Sequence, residues 1–144
     1  MTTKAWSIID QLAQDKLQAT RDNVSLANQA LQKITAQKLQ LFEMLNDYQS
    51  RLNKSQETKH SIDEHVSYRH FIKQVQDLIE VIEKEEHQAE LRLQSEEDKL
   101  IDALKEKKKT EFLIERDNLS TIKRNQILEQ KGFDELGITR FNHR

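Results

Sequence analysis

The chain has 144 residues, 33% of them charged, with 25 acids against 23 bases, two Gly, no Pro and no Cys. That balance, rich in Gln, Glu, Lys and Leu, is the profile of long helices; a compact enzyme core of this size would carry Gly and Pro punctuation between its elements. A net charge of −2 gathers no nucleic acid, the lack of Cys excludes thiolate chemistry and fits a reducing cytoplasm, and no apolar run is long enough for a membrane span or a signal peptide.

A 3–4 apolar repeat opens the chain. It runs Trp6, Asp10, Ala13, Leu17, Thr20, Val24, Ala27, Leu31, Ile34, Lys38, Leu41, Leu45, Tyr48 and Leu52, with eleven of the fourteen apolar. This predicts helix 1 over about residues 3–57. Residues 53–65 carry no stripe, but Ser61 and Glu64 stand three apart as a capping box, with Asp63 and Glu64 suited to a helix N-terminus. A turn is therefore expected at about 58–61, and helix 2 from about 62.

The second stripe runs Tyr68, Ile72, Val75, Ile79, Ile82, Glu86, Ala89, Leu93, Glu96, Leu100 and Ala103, then faintly through Lys107, Thr110 and Ile114. So short a connection makes the helices antiparallel neighbours, and facing positions should then total about 120 in residue number. Tyr48 meets Ile72, Leu45 meets Val75, Leu17 meets Ala103 and Trp6 meets Ile114. The polar exceptions sort themselves: Lys38 lies one layer from Glu86, and Asp10 one layer from Lys107. They are either register-fixing ion pairs or long side chains snorkelling to water. About 50 paired residues per helix give a seam of roughly 75 Å. Past Ile114 helix 2 runs on alone to about 131, where Gly132 marks its end, and 132–144 is expected to be a flexible tail. The whole chain reads as one all-α domain, a long two-helix coiled-coil hairpin.

No catalytic constellation emerges. His60, His65 and His70 are five apart, which turns neighbours about 140° around a helix and away from a shared metal. No phosphate loop and no nucleophile beside a base is present. Glu83, Glu85, Glu86 and Glu90 read as a solvated face; the run Lys105, Lys107, Lys108 and Lys109, interleaved with Glu106 and Glu111, reads either as a solvated face, the favoured reading, or as a grip on phosphates or an acidic protein surface. The expectation is a protein that is not an enzyme, with no cofactor and no metal.

One feature exceeds what a seam needs. Phe71 and Leu78, seven apart, flank the second stripe, and Phe42 stands to one side of the first. A two-stranded seam buries its two rows and little else, so the surplus either thickens the seam or faces another protein; the second reading is favoured.

The segments "LNDYQSRL" (45–52), "YRHFIKQVQDLIE" (68–80), "LKEKKKTEFLIERDNL" (104–119) and "EQKGFDELGITR" (129–140), in this order and spacing, resemble the FliJ family of the bacterial flagellar type III export apparatus. The resemblance covers nearly the whole length. It implies an antiparallel hairpin similar to the central-stalk subunit of rotary ATPases. Such a protein would sit in the cytoplasm, peripherally at the inner-membrane export apparatus, without inserting in the membrane. It would enter the hexameric export ATPase and promote its assembly. It would also link that ATPase to the cytoplasmic domain of the export gate, and handle export chaperones. The gate-contacting surface it implies lies near the hairpin tip, at Leu41, Leu45, Tyr48, Leu52, Phe71, Val75, Leu78 and Ile82. In isolation the chain is expected to be a monomer. Two other readings stay open: the equivalent stalk of a virulence-type injectisome, and a generic structural coiled-coil scaffold.

Overall fold

This computed structural model describes residues 3–57 and 62–142, and the side chains within 3–56 and 62–137. All of that backbone is helical: α1 spans Thr3–Glu57 and α2 spans Ile62–Asn142, packed against each other as a hairpin, with no strand among the described residues. The turn expected at 58–61, and Ser61 of the capping box, lie outside the described residues.

One expectation is corrected. α2 does not stop near residue 131; its backbone stays helical through Gly132 and Gly137 to Asn142. Neither glycine has a left-handed φ, and neither has a neighbour within 4 Å of where a Cβ would stand. Gly ends a helix when it adopts the left-handed conformation. Without it, each glycine merely lowers helix propensity by about 1 kcal/mol, and the surrounding Leu, Glu, Gln and Lys residues offset that cost.

The contacts divide the hairpin into two units. In the first, α1 as far as Ala19 packs with α2 from Ile101 onward. Leu17 and Ala103 are 4% and 1% exposed, a large residue set at the level of a small one, as close helix approach requires. Thr110, also buried, satisfies its hydroxyl by donating to the carbonyl of Glu106 one turn back, at 2.9 Å. Polar contacts cross between the helices here: Trp6 Nε1 donates to Asp117 at 2.7 Å, and Lys107 Nζ donates to Asp10 in a short ion pair.

The second unit is Thr20–Leu100. Ala27, Val75 and Ile79 form its buried apolar line, joined by Thr20 and Ser55. Ser55 and the half-buried His65 carry the packing past Leu52 and Tyr68, into a stretch whose sequence shows no stripe. Here Lys38 Nζ donates to Glu86 at 2.7 Å, and the Thr35 hydroxyl donates to the same carboxylate at 3.1 Å. In each unit the cross-helix partners total close to 120 in residue number, the mark of an antiparallel pairing. No large side chain among the described residues is fully buried. Stability is therefore gathered layer by layer along a seam rather than in a core.

A candidate protein-docking surface

The eight positions singled out at the tip end of the hairpin fall into two groups. Val75 is 4% exposed, and Leu41, Leu45, Tyr48, Leu52 and Ile82 are half-buried; all six lie in the seam. Phe71 and Leu78 stand outside it, 46% and 53% exposed. Their seven-residue spacing puts them on one face of α2, about two turns or roughly 10 Å apart.

Phe71 is not simply free. Its ring stacks on Tyr48 of α1, with centroids 5.7 Å apart and planes inclined by 20°. An offset pair of this kind adds about 0.5–1.5 kcal/mol beyond the area it covers. Phe71 therefore does both things that the sequence left as alternatives: one side thickens the seam and the other remains open. Leu78 is the more exposed of the two and is open to water.

The Tyr48–Phe71 stack fixes which flank of α1 adjoins the strip. Met44 is one turn before Tyr48 on the same face, at the level of Leu78 in the antiparallel register, and is 44% exposed. Val81 is one turn beyond Leu78 and 53% exposed. Sequence reasoning missed both, although for Val81 the 3–4 spacing Phe71, Gln74, Leu78, Val81 carries the signal. The surface is thus an apolar strip of Met44, Tyr48, Phe71, Leu78 and Val81, over a seam anchored by Val75 and Ile79. Met supplies an adaptable contact, and the aromatic pair a rigid one.

Ion pairs stand beside this strip on each helix: Lys73–Asp77 at 2.9 Å and Arg51–Asp47 at 3.2 Å, with all four side chains more than half exposed. The hydrogen bond from Lys73 to Asp77 holds that ammonium above its ordinary pKa, so it stays charged on the outer face. An exposed apolar strip rimmed by charged side chains has the anatomy of a contact between proteins. A second shallow apolar groove lies on α1 alone, lined by Leu31, Thr35, Leu39 and Phe42. Among the described residues, no cluster of His, Asp and Glu is arranged to hold a metal ion.

Comparison with known proteins adds one finding. The family model described as flagellar FliJ protein matches residues 7–144. No curated protein matches the chain. No solved structure does either.

Proposed function

The chain belongs to the flagellar FliJ family, components of flagellar protein export, and on that premise we propose that its hairpin is a stalk, entering the hexameric export ATPase and joining it to the export gate. In that role it promotes assembly of the ATPase ring. The tip strip, Phe71 and Leu78 above all, docks on the cytoplasmic domain of the gate, and export chaperones exchange on the same protein. It works in the cytoplasm and reaches the inner-membrane apparatus through its partners; no described helix is long and apolar enough to cross a membrane.

The observation that carries this reading is the pairing of a closed seam with an open strip. Val75 and Ile79 are already buried within the chain, so Leu78 and Val81 are not needed to complete it, and Phe71 adds to it only through its Tyr48 side. Exposed apolar side chains in one strip gain most when a partner covers them, at about 25 cal/mol per Å².

The test is a pull-down from purified components, with the export ATPase and the gate's cytoplasmic domain offered separately and together. The stalk reading expects the chain to retain each partner alone, and both at once. Retention of neither would overturn it.

A further inference from the structure

Beyond Asp117 the face of α2 that met α1 turns polar: the same line continues through Thr121, Arg124, Leu128 and Lys131. A different apolar line takes over, roughly 160° around the helix by the 100° advance per residue. It runs Phe112, Glu115, Leu119, Ile122, Gln126, Glu129, Phe133 and Leu136, in unbroken alternation of three and four. Its five apolar members are 63%, 60%, 53%, 73% and 61% exposed. An amphipathic helix with nothing against its apolar face is half of a coiled coil.

Its surface is also shaped like one. Glu129, Gly132, Phe133 and Leu136 line a concavity. Their heptad positions are d, g, a and d, the four residues that surround a knob in knobs-into-holes packing. The missing side chain of Gly132 widens that hole, since nothing stands within 4 Å of where its Cβ would be.

The sequence selects the occupant. Three ways of laying a second copy of this stripe on the first give poor matches. A parallel pairing in register sets Glu115 against Glu115, and Glu129 against Glu129. An antiparallel pairing centred one half-heptad nearer the N-terminus sets Leu119 against Glu129, Ile122 against Gln126 and Glu115 against Phe133. Centred one half-heptad nearer the C-terminus, it sets Glu129 against Phe133 and Gln126 against Leu136. One antiparallel register between these last two matches like with like in every layer from 119 to 136. There Leu119 meets Leu136 of the second copy, Ile122 meets Phe133, and Gln126 meets Glu129, with the amide able to donate to the carboxylate. By the twofold axis each layer occurs twice, as an isologous interface demands. Ile122 is then the knob that enters the hole at Gly132.

We propose that two copies of this chain associate antiparallel through the Leu119–Leu136 stretch of this α2 stripe, with Ile122 of each seated beside Phe133 and Gly132 of the other. The inference stands apart from the export reading, since it uses a different face, and it replaces the isolated monomer expected from the resemblance with a monomer–dimer equilibrium.

The experiment is sedimentation equilibrium on the full chain over about 1 µM to 1 mM, the span of a modest association. Helicity is followed in parallel by circular dichroism. The mass should rise from 17.1 kDa toward twice that value. Ile122→Lys and Phe133→Glu, each alone, should weaken association by at least roughly tenfold with helicity retained. With both changes in one chain, the introduced lysine of each copy faces the introduced glutamate of the other, twice across the axis. Association should then return to within about threefold of the starting value. A mass of one chain throughout overturns the proposal. So does a double variant as dissociated as the single ones, because a parallel pair would face Lys with Lys and Glu with Glu.

Discussion

Lys38 of α1 and Glu86 of α2 meet across the seam at 2.7 Å, with Glu86 also accepting from Thr35. Both occupy stripe positions where an apolar residue would ordinarily pack. Removing one partner strands the other charge against the apolar rows, whereas exchanging both preserves the attraction. Lys38→Glu alone and Glu86→Lys alone should each lower the melting temperature. The double exchange should recover most of the loss, though not the part carried by the Thr35 hydrogen bond. A double exchange no better than the worse single would show that the pair does not set the register.

The same contact fixes the sign of the pH dependence. The hydrogen bond from Lys38 holds Glu86 below the ordinary carboxylate value of 4.5, despite the desolvation that opposes it. Its stabilisation is therefore complete above 4.5 and is lost as pH falls through the lower folded value. Hydrogen bonds to Glu86 and to Asp10 hold Lys38 and Lys107 above 10.5, so their share is complete below 10.5 and is lost as pH rises through the folded values. Melting temperature against pH should form a plateau between these limits. Glu86→Gln should lower the plateau and make the acid limb shallower; an unchanged acid limb would remove Glu86 from the account.

Trp6, the one tryptophan, reports on the first unit through its indole hydrogen bond to Asp117. Asp117→Ala leaves a part-buried N–H without that acceptor, at a cost of about 1–2 kcal/mol. Indole emission should move to longer wavelength, and unfolding followed at Trp6 should begin at lower denaturant. Emission identical to the parent would contradict the contact.

Gly132 and Gly137 offer a test of the long α2. In a right-handed helix with open space at each Cβ, Gly→Ala removes backbone freedom from the unfolded chain and should stabilise by up to about 1 kcal/mol per site. Helicity measured by circular dichroism should rise or hold in the double Ala variant. A fall would mean that α2 ends in a left-handed glycine at 132.

What the sequence disclosed, and what it withheld, follows from how local each signal is. The two helices and the pairing of Lys38 with Glu86, and of Asp10 with Lys107, were legible because a 3–4 stripe and a short turn fix both face and register. Thr35, one step off the stripe, gave no sign that it would share Glu86. Trp6 was matched to Ile114 by register, but its N–H reaches one turn further, to Asp117, because an indole extends beyond its own layer. The end of α2 was misread because Gly signals a stop only through its φ, which sequence does not display. In the docking strip, Phe71 and Leu78 were visible as surplus. The ring stack on Tyr48 was not, since it depends on which flank of α1 adjoins α2, and Met44 was missed for the same reason.

The most direct measurement of the central claim is a calorimetric titration of the gate's cytoplasmic domain with Leu78→Gln and Phe71→Ala variants, each paired with its own melting curve. Leu78→Gln should weaken binding by at least about tenfold, or 1.4 kcal/mol, with melting unchanged. Phe71→Ala should weaken binding similarly and also cost about 1 kcal/mol of stability through the lost stack on Tyr48. Parental affinity in both variants would contradict the assignment of this strip to a partner, whatever their stability.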